Sequence, residues 1–240
     1  MTLANRITRR LNRALNRSDL DSTIPPEICG DGFAELITEI ASFPDVRTAI
    51  DVGASGGGGS SAAIYEGLKS KSDKVMVCLE LSEPRFKELN KRFREHDWVV
   101  CLNESSIGEQ DFPSFEEVSL FLKKEGCRQM YGKDESDVLR WLRQDLDYIR
   151  DHNISTSGIL NAFSIAGVET FDLAVIDGSE FSGLAEMRLL MHSAYLLLDD
   201  VNTFKNMENR RSLLASDDYE LIREDLDCRN GFSAFRLLRS

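Results

Sequence analysis

Five short, nearly unbroken apolar runs constrain this chain more than any other feature: residues 46–52 (VRTAIDV), 74–80 (KVMVCLE), 98–103 (WVVCLN), 170–177 (TFDLAVID) and 194–199 (AYLLLD). A strand with one wet face alternates apolar and polar residues, whereas a strand covered on both faces stays apolar along its length. Around these runs lie segments with helical spacing: 31–42, a helix from the glycine-rich turn to about 70, then 83–95, 180–192 and about 204–215. Pro84 stands in the first turn of the third of these, where a missing N–H costs nothing. Buried strands alternating with helices predict an α/β domain on a doubly wound, mostly parallel sheet. The tail DYELIREDLDCRNGFSAFRLL alternates apolar and polar residues around Arg229-Asn230-Gly231, so the sheet is expected to close on a C-terminal antiparallel hairpin, with seven strands in all.

Charge divides the chain unevenly. The first 18 residues hold Arg6, Arg9, Arg10, Arg13 and Arg17 and no acid, so the rest is more acidic than the overall formal charge of −12. Such a body repels phosphate backbones, which excludes nucleic acid as the main partner. Leu3, Ile7, Leu11 and Leu15 recur every fourth residue, giving a basic amphipathic helix over residues 1–18. Its apolar stripe lies either on an anionic membrane surface or on protein, the domain itself or a second copy in a homo-oligomer. Ile24-Pro25-Pro26 and two glycines mark a linker. The expected organisation is therefore helix and linker over 1–30 and one domain over 31–240.

No run approaches the roughly 18 to 20 apolar residues needed to cross a bilayer, and the N-terminus lacks the apolar stretch of a secretory signal. The five cysteines are odd in number and form no Cys-x-x-Cys pair, so they read as reduced thiols in a cytoplasmic protein. About 65 residues separate the third apolar run from the fourth, far more than a minimal crossover. A helical insertion is expected there, at about 104–168, with helices at 114–125 and 135–151. It is either a substrate lid at the carboxyl edge of the sheet or an ordinary covering layer.

The loop from Asp51 through Gly53, Ser55, Gly56, Gly57, Gly58 and Gly59 to Ser61 follows a buried strand and opens a helix. Free backbone N–H groups at a helix start cradle nucleotide-like ligands. No lysine lies between Asp51 and Lys69, which excludes a triphosphate loop, and a GxGxxG pattern is met only loosely. Asp51 places negative charge before the first glycine, which suits a cationic cofactor, S-adenosylmethionine, better than a pyrophosphate. Glu80 ends the second strand, where a carboxylate accepts ribose hydroxyls of either S-adenosylmethionine or NAD.

With these residues in place, the chain resembles the class I S-adenosylmethionine-dependent methyltransferases over about residues 46–238. The matching stretches are D-V-G-A-S-G-G, C-L-E-L-S, F-D-L-A-V-I-D-G, Y-L-L-L-D-D-V and the closing hairpin. The D-V-G-A opening and I-D-G-S-E look most like FkbM-type and cephamycin-type O-methyltransferases. The resemblance implies a Rossmann-like methyltransferase fold, cofactor contacts from Asp51, Gly53, Ser55 and Gly57, the ribose on Glu80, and Asn103-Glu104-Ser105 beside the adenine. Ser55 departs from the family's second glycine.

At the reaction end, Asp177 closes the fourth strand and Asp199 and Asp200 the fifth. They either hold Mg²⁺, as acids at corresponding strand ends do in catechol O-methyltransferase-like enzymes, or cap helices, with Asp200 and Asn202 serving the helix near 204. Where those families place a lysine or histidine base, this chain has Glu180, either the base or a first-turn glutamate. Lys205 reads as a solvated lysine, with steering of a substrate or pairing with an acid as the alternative. His96, His152 and His192 read as helix-end residues. The expectation is O-methylation of a small-molecule or glycan hydroxyl. An NAD-dependent oxidoreductase and a non-catalytic cofactor-binding scaffold are the alternatives.

Overall fold

The computed structural model describes residues 19–238, so the basic segment 1–18 and its expected helix lie outside the described residues. Seven strands form one sheet in the order β3-β2-β1-β4-β5-β7-β6. β1 (Thr48–Val52), β2 (Val75–Leu79), β3 (Val99–Leu102), β4 (Leu173–Ile176) and β5 (Tyr195–Asp199) run parallel, while β7 (Phe232–Leu237) lies antiparallel between β5 and the edge strand β6 (Tyr219–Asp225). The doubly wound sheet with a terminal hairpin matches the expectation from the apolar runs.

Strand parity sorts the side chains into two layers. Ile50, Val52, Val77, Leu79, Leu196 and Leu198 face α4 (Phe115–Glu125), α5 (Glu135–His152), α6 (Gly158–Ala166), α7 (Gly183–Leu190) and α8 (Met207–Leu214). Ala49, Cys78, Leu173, Val175 and Leu197 face α1 (Gly32–Ser42), α2 (Ser60–Leu68) and α3 (Glu83–Phe93). Side-chain caps set some of the helix starts: Asp31 accepts from the N–H groups of Phe33 and Ala34 at 3.1 and 2.9 Å, and Ser114 with Glu117 forms a capping box. Among the described residues no helix is long and apolar enough to cross a membrane. All five cysteines are free.

Two features differ from the sequence reading. The insertion carries a third helix, α6, whose nine residues are too short for a periodic signal and whose N-terminal Ser157 makes no side-chain cap. The linker is no spacer: Ile28 is buried in the core, Ser82 Oγ donates to the Leu20 carbonyl at 2.6 Å and Arg85 Nε donates to the Ser22 carbonyl at 3.0 Å. Pro26, which reads as a break in the sequence, here lies against Gly58 and Gly59.

Helices α1 and α2 meet at Gly67, where an added Cβ would stand 2.5 Å from the Ala41 Cβ and 2.7 Å from the Thr38 carbonyl oxygen. In an exposed helix Gly→Ala gains about 1 kcal/mol. Here overpacking dominates, and Gly67→Ala is expected to lower stability by about 1 to 3 kcal/mol in urea denaturation. A gain would show that the two helices separate freely.

Candidate active site

The strand order reverses at β1, which pairs with β2 on one side and β4 on the other, so a crevice opens beyond their carboxyl ends. The closeness of β1 and β4 there dictates a residue. Gly53 has φ +87°, and a Cβ would fall 1.9 Å from the Asp177 carbonyl oxygen, so only glycine fits. The crevice holds a cavity of about 350 Å³. Gly53, Ser55 and Ser60 of the glycine loop, Glu80, and Glu104 and Ser105 after β3 line one end. Asp177, Ser179, Glu180, Asp200 and Lys205 line the other. Tyr131, Trp141 and Asp145 of the insertion and Ile24 to Ile28 of the linker complete the wall, so part of the insertion does shape the site.

At the first end both Glu80 oxygens are held by backbone. Oε2 accepts from the Ser55 N–H at 2.7 Å and Oε1 from the Ser82 N–H at 2.6 Å. Burial pushes its carboxyl above the usual range, against those two bonds. Ser55 Oγ is buried without a protein partner on this wall, a polar atom left for a ligand.

Three expected contacts do not reach the cavity. Asp51 lies on the α1–α2 face of the sheet by strand parity, fully buried, and accepts from Ser60 Oγ at 3.0 Å and from Ser61 Oγ. It therefore positions the loop from beneath. Gly57 has φ +75° and a Cβ there would strike Leu89 and Phe93 at 2.8 Å, so this glycine serves the turn. The Asn103 amide donates to the carbonyls of Glu80 and Leu81 at 2.8 and 2.9 Å and fixes the end of β2.

At the second end, one oxygen each of Asp177, Asp199 and Asp200 lies within 4.8 Å of the others. Lys205 is not solvated. It is 7% exposed, and its Nζ stands 2.8 Å from Asp177 Oδ1 and 2.6 Å from Asp200 Oδ2. Burial opposes its charge, but Asp177, Asp200 and Glu180 outweigh this and raise its pKa well above the usual lysine value. Asp177 is pushed up to about 7 by burial, with Lys205 opposing. Asp200 is held below the usual range although burial works against it, through Lys205 and the Asn230 amide, which donates at 2.9 Å.

Asp200 does not cap α8, which begins after Asn206, and the Asn202 amide donates instead to the Leu226 carbonyl. Asp199 pairs with Arg229 at 2.6 Å, and Arg229 also pairs with Asp31. Two of the three expected Mg²⁺ ligands thus bond an ammonium and the third a guanidinium. As folded, this donor set does not fit a divalent ion.

Glu180 Oε2 accepts from the Tyr131 hydroxyl at 3.0 Å, and Oε1 accepts from the Lys205 N–H at 3.2 Å. Burial pushes its carboxyl up to about 7, with Lys205 opposing. None of the three histidines lines the cavity. A signal for Lys205 was present in the sequence: strand-end acids need a compensating charge, and it is the first cation after Asp200.

No family model and no curated protein matches the sequence. Solved structures match over nearly the whole chain. An O-methyltransferase from Bacillus cereus in complex with SAH is 13% identical, with 97% of this chain and 90% of that chain covered at a TM-score of 0.50. The O-methyltransferase TomG from Streptomyces achromogenes, in complex with SAM, is 12% identical over 100% of this chain and 91% of that one at 0.53. A methyltransferase from Geobacter sulfurreducens is 11% identical over 98% of each chain at 0.52. The chain has the class I methyltransferase fold. At these identities the fold is what is shared.

Burial raises the Asp51 pKa to about 6, with the bonds from Ser61 and Ser60 opposing. An acid raised on folding stabilises most below its unfolded pKa, and that contribution is lost as pH rises through the folded value. The chain should therefore lose roughly 3 kcal/mol through Asp51 between about pH 4 and 6. Asp51→Asn is expected to flatten this part of a pH–stability profile measured by urea denaturation. An unchanged slope would place the proton elsewhere.

Proposed function

We propose that the chain transfers a methyl group from S-adenosylmethionine to a hydroxyl of a small molecule or glycan. The observation that carries this reading is the single cavity joining Glu80 and the glycine loop at one end to Glu180 and Lys205 at the other. Two neighbours of the same fold hold SAH or SAM, which accords with it. When bound, S-adenosylmethionine supplies an electrophilic methyl group on a sulfonium.

Each carboxylate oxygen of Glu80 keeps a lone pair after accepting its backbone N–H, so it can also accept a ribose hydroxyl. Gly53, Ser55 and Ser60 would hold the amino-acid portion, and Glu104 and Ser105 would flank the adenine. Glu27, Glu80, Glu104, Asp145, Asp177, Glu180 and Asp200 line the wall with two side-chain cations, Arg85 and Lys205. That charge suits a sulfonium and disfavours the pyrophosphate of NAD. It also favours a neutral or cationic acceptor over an anionic one. Glu180, with a pKa near 7, is the group that takes the acceptor's hydroxyl proton on a carboxylate oxygen. Five free cysteines accord with a cytoplasmic location.

S-adenosylhomocysteine should bind in the micromolar range, about −8 kcal/mol, in titration calorimetry, and NAD should not. Glu80→Ala should weaken that binding by roughly 1.5 to 3 kcal/mol. Equal affinity for NAD would overturn the reading. In the proposed reaction the rate should fall as pH drops below about 7, and Glu180→Gln should remove that limb while leaving S-adenosylhomocysteine affinity unchanged. A limb that persists in Glu180→Gln would assign the base to another group.

A further inference from the structure

We infer that Lys205 is a tethered cation that takes the place of a divalent ion between Asp177 and Asp200, so that the acceptor end of the cavity works without a metal. Its role toward an acceptor rests on the methyl-transfer reading; its displacement of a metal does not.

Three acids gathered at two neighbouring strand ends need counter-charge, and the chain supplies two cations. Arg229 answers Asp199, and the Lys205 ammonium bridges the other two acids at 2.8 and 2.6 Å. The lysine is held in place by its neighbours on both sides. Phe204 packs edge-on against Phe121, ring centroids 4.8 Å apart, and against Phe181 at 5.9 Å. The Asn206 amide donates to the carbonyls of Ile176 at 3.1 Å and Asp199 at 2.7 Å, tying the turn to the ends of β4 and β5. The Lys205 N–H is fixed to Glu180 Oε1. These contacts fix the backbone from which the Lys205 stem rises, and the ammonium itself is held by its bonds to Asp177 and Asp200, which a dication would have to displace.

A dication entering beside the ammonium would meet like charge in a buried site. An ammonium carries three donors. Two are spent on Asp177 and Asp200, which leaves one for an acceptor oxygen in the cavity that Lys205 lines. A metal ion would stabilise negative charge developing on that oxygen, and here the ammonium does so by charge and hydrogen bond.

The test is Mn²⁺ binding to the full chain, followed by electron paramagnetic resonance and calorimetry. The unaltered protein should show no Mn²⁺ site that Asp177→Asn abolishes. Lys205→Ala, checked for folding by circular dichroism, should gain one such site at least tenfold tighter than any Mn²⁺ binding of the unaltered protein, and the added change Asp177→Asn should remove it. A site in the unaltered protein that depends on Asp177 would overturn the inference, and this arm needs no folded Lys205 variant. A folded Lys205→Ala that gains no site would overturn it as well. Failure of S-adenosylhomocysteine to bind would count against the methyl-transfer reading alone.

Discussion

Two ion clusters at the carboxyl ends of β4 and β5 bridge segments that lie far apart in the sequence. Consecutive acids, Asp199 and Asp200, leave β5 toward different partners, one to Arg229 and the other to Lys205. Removing one partner from a buried pair leaves an uncompensated charge, at a cost of about 3 to 5 kcal/mol. The positions of the hairpin, the α8 turn and the end of β4 are therefore coupled. Arg229 ties the hairpin to Asp31 at the start of α1, and Lys205 ties the α8 turn to Asp177. The same bonds that make the acids tolerable shape the end of the cavity.

The cavity divides its work by backbone and side chain. At the glycine-loop end the important groups are held by main-chain N–H groups, as with Glu80, so the surface offered to a ligand is rigid. At the other end the wall is built by side chains from distant segments: Glu180 after β4 accepts from the Tyr131 hydroxyl of the insertion at 3.0 Å and from the Lys205 backbone N–H at 3.2 Å, and the Lys205 ammonium reaches Asp177 and Asp200. Proteins of one fold vary most in such loops, because the scaffold beneath them tolerates exchange. Reaction chemistry at that end is accordingly a property of this chain's own residues, and the fold sets only their place.

Buried acids dominate the electrostatics. Burial pushes Asp145 up to about 6, and Asp177 and Glu180 up to about 7, each opposed by a local hydrogen bond or cation. Groups poised near neutrality inside a crevice are characteristic of proton-handling sites, since small changes in charge nearby move them between states. A cationic ligand would drive them toward the ionised form, and an anionic one toward the protonated form. The neighbouring acids work the other way, toward the protonated form, as Asp200 does at Asp177 and Glu180.

The apolar runs were enough to determine the layered α/β fold, because a strand buried on both faces admits few other arrangements. Glycine at position 53 was legible for a similar reason: local patterning marks the turn after β1, and the close approach to Asp177 requires that residue type. Glu80, Asp177 and Asp200 were readable as strand-end acids, since a parallel sheet gathers strand ends at one edge, whereas Glu104, Ser105 and the place of Glu180 came from the family resemblance. Only the tertiary structure decided which side chains face the cavity. Strand parity sends Asp51 under α2, the insertion contributes Tyr131, Trp141 and Asp145, and the linker packs over the glycine loop as part of the wall. It also decided that Lys205, which patterning reads as a surface residue, is a buried counter-ion. The strength of an ion pair depends on distance and burial in three dimensions, and neither is encoded in spacing along the chain.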